Sequence, residues 1–279
     1  MSGITRSRKG AGRGIMLLSI AAFGYAFLYV PILSVMVYSF NDSRLVTLWG
    51  GFSVRWYRSL LHDGSILSAA LLSLEIALIS ATAATILGTL SGLALNRLGP
   101  FRGRTLMTGM ITSPLVMPEI ITGIALLFLF ISLGHWIGWP AQRGMTTITI
   151  SHITFSMAYV AVVVRSRLGS LDRSLEEAAM DLGGRPLRVF FDITVPMIAP
   201  AMISGWLLAF TLSLDDVVIS SFVSGPGSTT LPMLIFSKVR LGVTPDINAL
   251  ATVIIVLVST GVLTAAWITR RQEKRSGKT

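Results

Sequence analysis

Long apolar runs alternate with shorter polar connections along this chain of 279 residues. The runs cover residues 15–40, 66–95, 105–133, 146–166, 197–223 and 247–269. Each is long enough, as a helix, to cross a hydrocarbon core of about 30 Å. The pattern therefore predicts an all-α polytopic membrane protein with six transmembrane helices.

Composition agrees with this pattern and limits what else the chain can contain. Hydrophobic residues make up 52% of the sequence and charged residues 13%, against roughly 25% charged in soluble domains. The longest polar stretch is a loop of about 30 residues before the fifth run, which is too short for a separate soluble domain. We therefore expect the chain to act within the membrane and to catalyse no reaction of its own.

The net charge of +10 would indicate a nucleic-acid partner in a soluble protein, so the position of the basic residues matters. Seventeen of the 23 Lys and Arg residues lie in residues 1–14, 97–104, 165–188 and 270–279. Cytoplasmic loops carry such an excess. We predict a basic cytoplasmic N-terminus over residues 1–14, a basic cytoplasmic tail over 270–279, and no nucleic-acid binding.

Neither thiol chemistry nor a metal site is expected. The chain has no Cys, so it can form no disulfide. His62, His135 and His152 lie far apart without the spacing of metal ligands.

The polar loop at about residues 168–196 has the signals of a helical hairpin. Ser174 and Glu177 fit a capping box at the start of a first short helix. Gly183 and Gly184 end that helix, and Pro186 suits the first turn of a second one. A small apolar face at helical spacing comprises Leu175, Ala178, Ala179 and Leu182. From the residues alone, the hairpin is either a docking element or an amphipathic connector on the membrane surface.

The same loop resembles the EAA loop of ABC importer permeases. The triplet 177–179, followed by Gly183, Ile193 and Pro196, matches that motif, and Val195 stands where the family usually has Leu. The resemblance implies a type I, MetI-like permease fold over residues 15–269, with a cytoplasmic EAA coupling loop seated on an ATPase. The residues that it assigns to ATPase coupling are Glu177, Ala178, Ala179 and Gly183.

Further segments resemble the polyamine branch of these permeases, most closely the second permease subunit of putrescine importers. The segments are LYVPILSVMVYSFN, PLVMPEIITGI, SHITF, TLSLDDVVISSFVSGPGSTTLPM and NALAT. The resemblance implies a bacterial inner-membrane subunit of a putrescine importer. Its partners would be a second homologous permease, two copies of an ATP-binding subunit and an extracytoplasmic polyamine-binding protein. The chain itself would bind no cofactor, because ATP and Mg would be bound by the ATPase.

Four carboxylates inside the apolar runs are the candidate contacts for a cationic substrate: Glu75, Glu119, Asp215 and Asp216. A charge within the membrane is costly, and no run carries Lys or Arg in its central part, so Glu119 and Asp215 are expected to line the pathway. Adjacent residues on one helix point about 100° apart, so Asp216 either joins them at a helix break or caps nearby backbone. Glu75 either contributes to the pathway or is a protonated packing carboxyl.

Two further features bear on this site. Pro114 and Pro118 precede Glu119 and should kink or open the third helix. Trp56 and Tyr57 could stack on an alkyl-ammonium chain by cation–π contact, or could anchor the chain at the membrane interface.

The sequence leaves three classes of function open. The first is an ATP-driven permease, for putrescine or alternatively for spermidine or another cationic solute. A secondary transporter driven by the membrane potential could use the same carboxylates, although no repeat relates the two halves. The third class is a membrane receptor or assembly subunit that transports nothing.

Overall fold

The computed structural model describes residues 9–44, 48–242 and 244–276, and every regular element in these ranges is helical. The helices are α1 (Lys9–Tyr38), α2 (Arg55–His62), α3 (Gly64–Arg97), α4 (Arg104–Val116), α5 (Glu119–Ile137), α6 (Met145–Gly169), α7 (Ser174–Asp181), α8 (Pro186–Val189), α9 (Val195–Asp215), α10 (Val218–Val223), α11 (Leu231–Leu241) and α12 (Pro245–Ser276). One turn of π-helix, Phe190–Thr194, joins α8 to α9. The first eight residues of the predicted N-terminal segment and the last three of the predicted tail lie outside these ranges.

Five described helical segments are long and apolar enough to cross a membrane. They are Met16–Tyr38, Gly64–Arg97, Glu119–Ile137, Met145–Gly169 and Pro186–Asp215, and a shorter apolar helix covers Pro245–Thr260. These segments overlap the six predicted runs, with two differences. The third run is divided into α4 and α5, and the fifth helical segment begins at Pro186 and ends at Asp215, not at residues 197 and 223.

The chain divides into two compact units. The first unit combines the N-terminal part of the chain, up to Gly64, with the C-terminal part, from Lys238, and the second unit comprises Ser65–Ser237. In the first unit, α12 packs against both α1 and α2. The connection after α1 is organised by the buried side chain of Asn41. Its amide donates to the carbonyl of Leu48 at 2.8 Å and its oxygen accepts from the N–H of Gly50 at 2.8 Å.

The second unit has a core shared by α3, α5, α6, α9 and α10. One apolar cluster comprises Ile76, Leu126, Phe130, Ile148, Phe155, Ile219 and Val223. A second comprises Ala81, Ala84, Val160, Val164, Leu168, Ile198 and Ala209. The second cluster joins α3 to α6 and α9. In the first, α10 packs against α5 and α6.

Small residues allow close packing around Val160. A Cβ atom on Gly88 of α3 would lie 2.7 Å from Val160 Cβ, and one on Gly205 of α9 would lie 3.1 Å from Val160 Cγ1. A Cβ on Gly92 would lie 3.2 Å from the carbonyl oxygen of Ala161. The small-residue pattern of α3 is therefore used for packing within the chain, as in other membrane helix pairs.

Candidate functional site

The predicted opening of the third membrane segment lies directly before Glu119. Helix α4 ends at Val116, Met117 and Pro118 are extended, and α5 begins at Glu119. Pro118 has no N–H to continue a helical ladder, which explains why the helix ends here. The side chain of Glu119 is exposed on the surface of the chain.

A second break separates the two adjacent aspartates. Asp215 is the last residue of α9, whereas Asp216 has φ −67° and ψ 124°, an extended conformation that ends the helix. The residue Asp215 is exposed, but the Asp216 side chain retains only 8% of its accessible surface. The two neighbouring carboxylates therefore lie in different environments.

Asp216 is the centre of a buried polar network. Its carboxylate accepts the backbone N–H groups of Ile219 at 3.1 Å and Ser220 at 2.7 Å, and so caps α10. Its Oδ2 also lies 3.2 Å from Nε2 of His152 on α6. The His152 ring continues to the hydroxyls of Ser220 at 3.1 Å and Ser213 at 2.6 Å, and Ser80 on α3 donates to Ser213 at 3.1 Å.

His152 was not predicted as part of this site, because a lone histidine was weighed only as a metal ligand and only Lys and Arg as partners of the carboxylates. A polar ring within an apolar span should have indicated a hydrogen-bonded partner, because an unsatisfied polar group in a membrane is costly. The nearest signal was the polar pair Ser151-His152 within the apolar run that forms α6. Asp216 caps the backbone of α10, which is one of the two roles predicted for it. Its contact with substrate stays a prediction.

The helices that begin after the two breaks, α5 and α10, pack against each other. Gly123, in the second turn of α5, faces α10 so closely that a Cβ atom would lie 2.6 Å from Phe222 Cδ2 and 3.4 Å from Ile219 Cα. The second turn of α5 therefore packs closely against α10. Neither Glu119 nor Asp215 forms a salt bridge with any residue that the structure describes. Among the described residues, Glu119 at the start of α5 and Asp215 at the end of α9 are thus two carboxylates without a salt bridge.

Glu75 lies apart from these breaks, on the surface of α3. It lines a cavity of about 550 Å³ together with the hydroxyls of Ser65, Ser68 and Thr229. Polar groups around an exposed carboxylate could hydrate or bind an ammonium group. Its contribution to the pathway stays a prediction.

Trp56 and Tyr57 belong to the first unit, on α2. The Trp56 indole N–H donates to the carbonyl of Asn41 at 2.7 Å, and the guanidinium of Arg55 lies 4.5 Å from its ring centroid. The Tyr57 hydroxyl shares a 2.6 Å hydrogen bond with that of Ser39. Both rings have structural contacts, and a substrate ammonium would have to compete with Arg55 for the face of Trp56. Substrate contact by these residues stays a prediction.

The hairpin after α6 is formed by α7 and α8, but its start differs from the prediction. No side-chain cap from Ser174 is present, so the predicted capping box was wrong. Instead, Asp172 Oδ1 accepts the backbone N–H of Ser174 at 3.0 Å, and this hydrogen bond holds the pKa of Asp172 below its usual value. Asp172, two residues before α7, thus supplies the acceptor for the first backbone N–H of the helix.

The turn of the hairpin has the form of a Schellman motif. Gly184 N–H donates to the carbonyl of Ala179 at 3.0 Å, and Gly183 N–H donates to that of Met180 at 2.9 Å. Gly183 has φ +86°, a conformation that favours glycine, and a Cβ atom on Gly184 would lie 2.6 Å from the Ala179 oxygen. Gly183 is therefore required for its backbone conformation, and Gly184 for the lack of space for a side chain.

The outer face of the hairpin is apolar and unusually accessible. Leu182 is 90% exposed and Leu187 is 75% exposed. Glu177 and Ala178 are exposed beside them, and Ala179 is half-buried. Exposed apolar residues rimmed by polar ones mark interaction surfaces, and here they lie on the segment that the sequence analysis assigned to ATPase coupling.

Residues 84–278 match the family described as the binding-protein-dependent transport system inner membrane component, and the chain belongs to this family. It is therefore a multi-pass membrane protein and a transport subunit. The chain is 61% identical to the putrescine transport system permease protein PotI of Escherichia coli strain K12, over 92% of this chain and 91% of the relative. It is 44% identical to the spermidine/putrescine transport system permease protein PotC of the same organism, over 90% and 92% of the two chains.

The fold is that of solved ABC transporter subunits. A chain of a bacterial ABC transporter involved in the import of the acidic polysaccharide alginate superposes with a TM-score of 0.74 at 15% identity, covering 96% of this chain and 99% of that one. At this identity the likeness concerns the fold alone. The predicted family and the all-helical permease fold are confirmed.

Proposed function

We propose that this chain is a transmembrane permease subunit of an ATP-driven polyamine importer, with putrescine as its principal substrate. The observation that carries the proposal is the 61% identity to a putrescine transport permease over nearly the whole of both chains. Spermidine is the alternative substrate, because a spermidine/putrescine permease is 44% identical over a similar length.

The membrane arrangement proposed has six passes, with α4 and α5 together forming the third and α12 the sixth. Both termini and the α7–α8 hairpin face the cytoplasm, as the 17 basic residues of the segments on that side support. A second, homologous permease completes the pathway. Two copies of an ATP-binding subunit bind ATP and Mg, and an extracytoplasmic protein delivers the polyamine.

The hairpin is the proposed contact with the ATPase. Its exposed leucines and small residues would allow another surface to approach closely, and the left-handed turn at Gly183 fixes its shape. Glu177, Ala178 and Ala179 lie on the same segment.

Glu119 and Asp215 are the proposed contacts for the ammonium groups. Both are exposed and lack a basic partner among the described residues, so a passing cation would supply the missing counter-charge. Four residues are secondary candidates. Asp216, Trp56 and Tyr57 already have contacts within the chain. Glu75 lines a separate cavity on α3.

The test is reconstitution of this chain with its partner permease and ATPase in vesicles, with labelled putrescine and the binding protein supplied outside. Uptake that requires ATP and the binding protein supports the proposal. Uptake driven by a membrane potential without the ATPase would assign the chain to secondary transport instead. Competition by unlabelled spermidine ranks the two substrates.

A further inference from the structure

The two adjacent glutamates of the hairpin point to different surroundings. Glu177 is exposed, whereas Glu176 turns inward and forms an ion pair with Arg97, the last residue of α3, at 3.0 Å. Both side chains of the pair retain only 17% of their accessible surface. The same Glu176 oxygen accepts a hydrogen bond from the Thr194 hydroxyl at 2.9 Å. Glu176 therefore joins α7, the end of α3 and the π-helical turn that leads into α9.

A second contact links the hairpin to the same end of α3. Arg173, directly before α7, donates to the carbonyl of Asn96 at 2.6 Å. The cationic groups of Arg173 and Arg97 lie at the C-terminal end of α3, where the helix dipole favours positive charge. The last turn of α3 is thus attached to the residue before α7 and to the first turn of α7.

Helix α3 is unbroken from Gly64 to Arg97, unlike the membrane segments that contain α4–α5 and α9–α10. Further along it, Ser80 donates to Ser213 in the network around His152 and Asp216. If the hairpin moves the end of α3, the Ser80–Ser213 contact would therefore carry that displacement to the break after Asp215. Glu176 also contacts Thr194 in the π-helical turn, and such turns are frequent at functional sites.

We infer that the Arg97–Glu176 ion pair transmits movement of the hairpin to α3, and through α3 to the carboxylate site. This inference rests on the proposed docking of the hairpin to an ATPase. Arg97 and Glu176 are positioning residues that touch neither substrate nor nucleotide. A partly desolvated, charge-assisted pair resists separation far more than an exposed one, which suits it to carry a displacement.

The test compares assembled complexes carrying Arg97→Gln, Glu176→Gln, or the exchange of Arg97→Glu with Glu176→Arg. The measured quantity is ATP hydrolysis with and without the putrescine-loaded binding protein, together with co-purification of the ATPase. We expect each single variant to assemble and hydrolyse ATP, but to lose at least about five-fold in its stimulation by the loaded binding protein. The exchanged pair should recover more stimulation than either single variant.

Asp192→Asn is the matched control, because it breaks an ion pair with Arg188 on the same hairpin that is largely exposed. It should leave stimulation unchanged. Wild-type stimulation in assembled Arg97→Gln and Glu176→Gln complexes overturns the inference. Failure of both single variants and of the exchanged pair to assemble, while Asp192→Asn assembles, also overturns it by assigning the pair to folding alone.

A separate variant, Leu182→Glu, tests the docking on which the inference rests. It places a charge on the exposed apolar face and should prevent co-purification of the ATPase. Normal assembly and stimulation with Leu182→Glu would reject the docking proposal, irrespective of the result at Arg97.

Discussion

One helix break places the adjacent residues Asp215 and Asp216 in different surroundings. Asp216 has two backbone donors and the His152 ring, so its hydrogen-bonding capacity is used within the chain. Asp215 has no salt-bridge partner among the described residues and lies on the surface. A carboxylate in a membrane segment that lacks a resident cation is suited to receive a transient one.

Neutralising the exposed carboxylates should impair transport while leaving assembly intact. Asp215→Asn and Glu119→Gln each preserve size but remove the charge, and a charge-assisted contact is worth about 1.5–3 kcal/mol, roughly ten-fold to a hundred-fold in rate or affinity. Concentration-dependent putrescine uptake by the assembled complex measures the effect. Wild-type kinetics in both variants would exclude this pair, and Asp42→Asn, on an exposed surface pair, serves as the control.

Replacing His152 by Ala should destabilise the protein, because three buried polar partners would lose the ring. Each unsatisfied buried group costs about 1–3 kcal/mol, and about 1 kcal/mol lowers the melting temperature by roughly 2–4 °C in a protein of this size. Thermal unfolding of the purified subunit measures this loss. His62→Ala is the control, since His62 is exposed and bonds only to the Arg58 carbonyl within its own helix. Equal melting temperatures for the two variants would contradict a structural role for the network.

At the scale of helices, the contact of α3, α6 and α9 depends on Val160 lying between two glycines. Gly88→Ala places a Cβ where the distance to Val160 Cβ is 2.7 Å, and overpacking of this kind costs about 1–3 kcal/mol. We expect a lower melting temperature for Gly88→Ala than for the unaltered protein, because the new Cβ would also lie only 2.9 Å from the carbonyl oxygen of Met157. Gly24→Ala, where a Cβ meets nothing within 4 Å, is the control. Equal melting temperatures for Gly88→Ala and Gly24→Ala would contradict the close approach of α3 to α6 at this position.

At Gly183, in the turn of the hairpin, the effect of backbone conformation can be tested without steric overlap. A Cβ on Gly183 would meet no atom within 4 Å, so a substitution there is disfavoured only by φ +86°. Gly183→Asn should therefore retain most ATP-driven uptake, because Asn tolerates this conformation, whereas Gly183→Val should insert normally but lose coupling. Equal uptake by the two variants at equal expression would show that the turn conformation is not required.

These elements also show which features a sequence pattern can predict. Pro118 acts locally, so the division of the third segment before Glu119 was predictable from proline chemistry. The break after Asp215 has no Pro or Gly beside it and is stabilised by Asp216 capping α10 and by His152 from a helix distant in sequence. A local pattern contains no information about such a tertiary contact. The same limit explains why the inward turn of Glu176 toward Arg97 was not foreseen.

For the whole molecule, two of the six basic residues on the proposed outer side form ion pairs with acidic neighbours. Lys238 lies 3.4 Å from Asp63 and 3.3 Å from Asp246, and Arg55 forms an ion pair with Asp42. On the proposed cytoplasmic side, positive charge is more abundant and includes Arg165 and Arg185, which form no ion pair with the described residues. With six basic residues against 17, the proposed outer side would repel a cationic polyamine less than the inner side would. The same difference in number favours the proposed orientation in the membrane.

The orientation itself can be tested because the chain has no native cysteine to mask the result. Single cysteines at Ser59 on α2 and at Thr229 before α11 are exposed and should react with a membrane-impermeant thiol reagent in cells whose inner membrane is intact. A cysteine at Ser174, equally exposed at the start of α7, should react only after the inner membrane is permeabilised. Ser228, next to Thr229, is buried and bonded to Gly225, so a cysteine there should react slowly on either side and serves as the accessibility control. Labelling at Ser174 in intact cells, with protection of Ser59 and Thr229, would reverse the proposed topology and place the hairpin beyond reach of a cytoplasmic ATPase.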